Sequence, residues 1–247
     1  MASRLKVRLD KLLVDRGLAA SRERAQAMIL AGTVLVDDQK SEKAGAQVAE
    51  DASIRLLGGD LKYVSRGGVK LERALDHWQI DVVGRVCLDV GASTGGFTDC
   101  LLQRGARRVY AVDVTTSQLA WKLRQDERVV PVEKNARYLL PADVPELAGI
   151  ITVDVSFIGL AKVIPALVPL AAPGAILLLL VKPQFELERG AVGRGGIVRD
   201  PALHQRAVRQ VRAAAESAGL TVEGEGASRL AGAGGNVEFF LYARKPT

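Results

Sequence analysis

The stretch from Val86 to Phe97, VCLDVGASTGGF, constrains the fold of this chain more than any other. The run Val86 to Val90, interrupted only by Asp89, reads as a buried strand. It breaks at Gly91, crosses a loop that also holds Gly95 and Gly96, and resumes at helical spacing from Phe97 to Leu102. A strand, a tight turn and a helix follow. Glycines there let the backbone approach a ligand, and the free N–H groups at a helix start attract electron-rich groups. A second strand, Arg108 to Asp113, ends in a carboxylate about twenty residues on, where an acid can accept two hydrogen bonds from a ribose diol. Together these features predict a nucleoside-containing cofactor.

Three enzyme classes use this architecture. A dinucleotide site needs Gly-x-Gly-x-x-Gly, and here the second glycine, the one that admits a pyrophosphate, is missing. The letters Gly91-x-Ser93-x-Gly95 also spell a hydrolase elbow, with Asp154 and His204 following in hydrolase order. Nothing upstream reads as the strand and glycine-rich loop that would complete an oxyanion hole. The third class, S-adenosyl-L-methionine-dependent methyltransferases, carries Asp/Glu-x-Gly-x-x-x-Gly at this turn, and Asp89 to Gly95 resembles it.

Strand patterns near 86–90, 109–113, 129–133, 150–154 and 175–181 alternate with helical ones near 97–103, 117–124, 159–171 and 202–218. Such alternation implies right-handed crossovers and an α/β, Rossmann-like fold with a mostly parallel, doubly wound sheet. Two more apolar segments close the chain, at Leu220 to Val222 and Val237 to Ala243. The two cysteines, Cys87 and Cys100, make neither a disulfide framework nor a zinc-ligand spacing. The longest apolar run, Ala175 to Val181, is far short of the ~20 residues of a membrane span, and the amino terminus lacks a signal-peptide core. A cytoplasmic location is expected.

Residues 1–60 differ in texture. Leu9, Leu12 and Leu13, then Ala25, Met28 and Ile29, recur at helical spacing, with Ser21 placed as a cap. Strands are expected at Gly32 to Asp38 and Ser53 to Leu57. The first 24 residues hold seven Arg or Lys against three acids, and the whole chain carries a net charge of +6, which favours a polyanionic partner. The pattern Arg8-Leu-Asp, Leu13, Gly17-Leu, Ser21-Arg22, Ala25, Ile29, Gly32 and Val34-x-Val36-Asp37 resembles the S4-type RNA-binding domain. That resemblance implies a small α+β module on residues 1–60, with Arg4, Lys6, Arg8, Arg22 and Arg24 as contacts to RNA phosphates. A connector is expected over 61–68 and a catalytic domain over 69–247.

On the rim of a doubly wound sheet, ligands bind beyond the carboxyl ends of the strands. Asp113, Asp154 and Lys182 end the second, fourth and fifth expected strands, and Asn135 follows the third. Ser65-Arg-Gly-Gly-x-Lys70, Asp89 to Phe97, Val153 to Phe157, Val181 to Glu186 and Gly235 to Phe240 then resemble the TlyA family of ribosomal RNA ribose methyltransferases, whose catalytic domain is FtsJ-like. The resemblance implies methyl transfer to a cytidine 2′-hydroxyl and a catalytic tetrad of Lys70, Asp154, Lys182 and Glu238. A lysine accepts a proton only when neutral, a state favoured by burial and neighbouring cations and opposed by carboxylates. Lys182 is the candidate base, or the group that steers the hydroxyl. The matching cofactor positions are Gly91, Ser93, Gly95, Gly96, Phe97, Asp113, Asn135 and Asp154.

The segment from Glu188 to Arg199 holds four glycines and three arginines; with Arg66, its Arg189 and Arg194 are further candidate RNA contacts, and the loop is expected to act as a lid. His204 is expected on the polar face of the next helix. The expected partner is ribosomal RNA within ribosomal subunits. Because the chain stops just past its last strand, it resembles the TlyA type that modifies 23S RNA only. A non-catalytic RNA-binding or ribosome assembly factor remains the alternative, with a hydrolase using Ser93 behind it.

Overall fold

The computed structural model describes residues 6–19, 21–37, 39–41, 43–56, 62–228, 230, 232 and 235–247, without the side chains of Arg55, Arg189 and Arg194. The chain divides into two compact units, Met1–Leu61 and Lys62–Thr247.

In the first unit, β1 (Lys6–Arg8) leads into α1 (Leu9–Asp15) and α2 (Arg22–Leu30), followed by β2 (Val34–Val36), β3 (Gln39–Lys40), β4 (Gln47–Ala49) and β5 (Ile54–Leu56). The Ser21 side chain accepts a hydrogen bond from the Arg24 N–H at 3.2 Å, so the expected cap forms. Leu9, Leu13, Ala25, Met28, Ile29 and Val34 bury the apolar faces of both helices in one core. β2 lies between β3 and β5, and β1 pairs with β4, all antiparallel. β1, β3 and β4 had no sequence signal, since two or three residues are too few to show a period.

The second unit begins with Lys62 to Ser65, expected as connector but packed against the body. Tyr63 is buried and the Val64 N–H donates to Asp99 at 2.8 Å. Then come α3 (Arg66–His77), β6 (Val86–Val90), α4 (Gly96–Gln103), β7 (Arg108–Asp113), α5 (Trp121–Arg124), β8 (Val129–Glu133), β9 (Ala148–Val153), α6 (Ile164–Leu167), β10 (Ala171–Val181), α7 (Pro183–Glu186), α8 (Pro201–Ser217), β11 (Thr221–Ala227) and β12 (Phe239–Arg244). The sheet runs β11-β12-β10-β9-β6-β7-β8, parallel except for β12, which is antiparallel to both neighbours. One face buries Leu71, Leu75 and Leu101 from α3 and α4; the other buries Ile164, Val208 and Val211 from α6 and α8. Cover on both sides explains why β6 reads as an almost unbroken apolar run.

Two expectations need correction. The helix expected over 159–171 is a set of short turns around α6, because Pro165 and Pro169 each remove a helix donor. His204 is buried, not on a polar face: its Nε2 lies 2.8 Å from the Val198 carbonyl oxygen and its ring packs on Phe239. Among the described residues, no helix is long and apolar enough to cross a membrane.

Candidate active site

The turn after β6 is held by its neighbours on both sides. Gly91 has φ +85°, and a Cβ there would sit 2.4 Å from the Asp154 carbonyl oxygen, so only glycine lets this loop lie against the end of β9. The Gly91 and Ala92 N–H groups donate to the Val112 carbonyl at 2.8 and 3.0 Å. The Ser93 N–H donates to Asp113 Oδ2 at 2.8 Å and the Thr115 N–H to Oδ1 at 3.2 Å, which pins the carboxylate at the end of β7. Each of its oxygens keeps a lone pair for a further donor. Asn135 accepts from the Arg137 N–H at 3.0 Å. Gly91, Ser93, Asp113, Asn135, Asp154 and Phe157 line one cleft of about 620 Å³, of a size and chemistry suited to a nucleoside.

Three of the expected cofactor positions do other work. Phe97 is buried and stacks on Phe240 with ring centroids 6.2 Å apart. A Cβ on Gly95 would meet Leu123, and one on Gly96 would lie 2.2 Å from Ser65 Oγ and 3.0 Å from the Gly68 nitrogen, so Gly96 permits the close crossing of α3 and α4. They shape the turn from behind. Asp89, also behind it, is fully buried and accepts from Thr98 Oγ1 at 2.7 Å and Thr152 Oγ1 at 3.1 Å. Burial pushes its carboxyl up to about 7, against those two hydrogen bonds and with the Asp154 charge adding to the rise.

Four ionisable side chains form two pairs at this edge of the sheet. Lys182 Nζ lies 2.6 Å from Asp154 Oδ1 and donates to Ser156 Oγ at 3.0 Å. Lys70 Nζ, reaching out of α3, donates to Glu238 Oε2 at 2.5 Å. The side chains of Lys182 and Lys70 are 11% and 13% exposed, so each ammonium is largely withdrawn from water beside a carboxylate. Topology brings the pairs together. Asp154 leaves β9 and Lys182 leaves the adjacent β10, while Glu238 precedes β12, whose Phe239 is in register with Val181. Reversal of β12 thus places its amino end beside the carboxyl ends of its neighbours. Ser93 has no comparable partner chemistry: the imidazole expected for an elbow, His204, is engaged with Val198 and Phe239, and Asp154 is paired with Lys182.

No sequence signal singles out Phe157, although it closes the segment Val153 to Phe157. The side chain is 92% exposed, the backbone has φ +65°, and the ring lies 5.1 Å from that of Phe185, itself below Lys182 Nζ. A large aromatic side chain held out at a strained position beside a cleft is a candidate contact residue.

In the first unit, Asp10 is fully buried and gathers Arg8 Nε and Nη2 at 3.0 and 2.8 Å, Arg22 Nη2 at 3.1 Å and Gln26 Nε2 at 2.9 Å. Arg8 and Arg22 stay 47% and 54% exposed. Lys6 and Arg66 are exposed and Arg24 is half-buried. Arg4 lies outside the described residues, as do the side chains of Arg189 and Arg194. The loop that carries them is tied down at its far end: Asn236 Nδ2 donates to the Gly196 carbonyl and its Oδ1 accepts from the Val198 N–H, at 2.9 and 3.0 Å.

Residues 63–245 match the model of the FtsJ-like methyltransferase family, and residues 7–60 match that of the S4 domain. The chain belongs to the FtsJ-like methyltransferase family. Among its relatives, "Putative rRNA methyltransferase YqxC" of Bacillus subtilis is 47% identical over 98% of this chain and 86% of that protein. The "16S/23S rRNA (cytidine-2'-O)-methyltransferase TlyA" of Mycobacterium tuberculosis is 46% identical over 98% of this chain and 91% of its own. A solved structure described as a putative hemolysin from Streptococcus thermophilus, 42% identical, superposes with a TM-score of 0.77 over 99% of this chain and 90% of that one. As an FtsJ-like methyltransferase with an S4 domain, the chain has the architecture expected from its glycine turn and alternating elements.

Proposed function

We propose that this methyltransferase transfers a methyl group to the 2′-hydroxyl of a cytidine in ribosomal RNA. The observation that carries the reading is the pair of buried lysine–carboxylate contacts at the edge of a nucleoside-sized cleft, with Asp154 belonging both to the Lys182 contact and to the cleft. S-adenosylmethionine, once bound, supplies the methyl on a sulfonium. Asp113 binds the cofactor ribose, Asn135 and the Gly91–Ser93 backbone border the adenosine, and Gly95, Gly96 and Phe97 hold the turn in shape. Lys182, fixed by Asp154 and Ser156, meets the ribose hydroxyl and takes or steers its proton; Lys70 and Glu238 set the charge around it. Phe157 offers its exposed face to the base of the target nucleotide. Residues 1–60 recruit the RNA through Lys6, Arg8, Arg22 and Arg24, with Arg4, Arg66, Arg189 and Arg194 as additional cations, and residues 69–247 carry the chemistry.

For the target we infer 23S RNA of the large subunit, the RNA named both for the mycobacterial relative and for a TlyA of Campylobacter jejuni that is 34% identical over 73% of this chain. The similarity to a mycobacterial protein named for both 16S and 23S RNA favours a second reading, in which both are modified. Isolated 30S and 50S subunits, offered in parallel with methyl-labelled cofactor, decide between them. Label in the ribose of 50S RNA alone is the expected result, and comparable label in 30S RNA replaces it with the second reading. Binding of cofactor and RNA without transfer to either would replace both with an assembly factor.

A further inference from the structure

A second cavity, of about 830 Å³, opens between α3 and the edge strand β11, away from the cofactor cleft, and is lined by Lys70, Arg73, His77, Trp78, Gly226 and Ser228. Its floor follows from the sequence of β11. Along Thr221–Ala227 the partly buried positions alternate, and two of them, Gly224 and Gly226, have no side chain. A Cβ on Gly224 would meet Trp78 Nε1 at 2.7 Å, so the indole lies directly over that glycine. A Cβ on Gly226 would meet nothing within 4 Å, so the space above it is open. Its wall is α3, which contributes one residue per turn at Lys70, Arg73 and His77. The acid on that wall, Asp76, is held by Arg104 at 2.6 Å, which offsets its charge.

Resting on the RNA methyltransferase reading, we propose that this groove holds the single-stranded RNA that flanks the modified nucleotide. Three features carry the assignment. Lys70 belongs both to the groove and to the pair with Glu238, so the groove borders one member of the proposed tetrad. The lining combines the Arg73 guanidinium and the His77 imidazole with the Trp78 indole, the Lys70 ammonium being offset by Glu238, and single strands are bound by basic grooves with aromatic surfaces for their bases. The cavity is within the volume range of small-ligand sites, enough for a nucleotide with its neighbouring phosphates. The groove therefore orients the substrate along α3 so that one ribose stops at Lys182.

The test uses the whole chain and measures its affinity for 50S subunits and for protein-free ribosomal RNA by filter binding across a salt series. Arg73→Glu with His77→Glu reverses the wall, and Gly226→Phe fills the floor without changing charge. Each is expected to weaken RNA binding about tenfold, and the charge variant to flatten the slope of log affinity against log salt by about one, as fewer phosphate counterions are released. Cofactor affinity, read by calorimetry, stays the same. Arg209→Glu, exposed on α8 across the sheet, controls for net charge and leaves binding unchanged. Folded groove variants that bind RNA as tightly as the unaltered chain overturn the proposal. So does failure of the unaltered chain to bind RNA at all. An unaltered chain that binds RNA yet transfers no methyl refutes the catalytic reading alone, and the groove is still judged by the same binding series.

Discussion

Asp10 in the first unit and Asp89 in the second are both fully buried carboxylates, and their surroundings drive them in opposite directions. The Arg8 guanidinium, with Gln26 and Arg22 behind it, holds Asp10 well below the usual carboxylate range despite the cost of burial. Asp89 has two threonine hydroxyls and the Thr98 backbone N–H as donors and the neighbouring charge of Asp154 against it, so burial wins and raises it to about 7. The same residue type therefore serves two ends. Asp10 stays ionised and fixes two half-exposed cations in a shape a polyanion can meet. Asp89 braces the turn behind the cofactor cleft. The cations differ in parallel: Arg8 and Arg22 remain open to water, whereas Lys70 and Lys182 are almost enclosed. In the proposed function the exposed charge recruits and the enclosed charge does chemistry.

The largest effect that tests this contrast comes from removing an enclosed cation. Lys182→Ala is expected to lower methyl transfer by about 10²–10⁴-fold, the range of a lost proton-transfer group, with RNA and cofactor affinity retained. Asp113→Ala should instead weaken cofactor binding measured by calorimetry. Equal loss of cofactor in two folded variants would erase the division between reacting and binding groups. The exposed cations come next. Charge reversal of Arg8 and Arg22 should weaken binding to ribosomal subunits by about 10–100-fold and flatten its salt dependence by about two phosphate contacts, while cofactor affinity is unchanged. Unaltered RNA binding by a folded variant would show that this pair does not recruit.

The smallest effect is a pH dependence of stability with opposite signs in the two units. Between the unfolded value of 3.8 and about 7, folded Asp89 holds a proton that the unfolded chain has released, so rising pH through that window removes stability. Glu186, half-buried and raised by desolvation to about 7, acts in the same sense. Asp10 is the reverse: its contribution is complete above about 4 and fades as the pH falls further. Urea melts from pH 3 to 8 should show Asp89→Asn flattening the near-neutral limb and Asp10→Asn the acid limb. The same limb altered by both variants would refute the comparison.

What the sequence determined by itself is local. The strand, glycine turn and helix at 86–103, the carboxylate at Asp113 and the Ser21 cap follow from periodicity and residue chemistry over a few neighbours, and the structure contains each of them. Where neighbours compete, local reading lost ground: two prolines break 159–171, and Phe97, beside the glycines, turns into the core onto Phe240. The tertiary structure alone decided the contacts. Lys70 meets Glu238 across 168 positions, Asp10 draws on β1, α1 and α2 together, and the reversal of β12 carries Glu238 to a rim that the rule of carboxyl ends assigns to other strands. The physical reason is that periodicity reports which face of an element is buried, whereas strand order and register decide which element faces it, and these minimise the free energy of the whole chain.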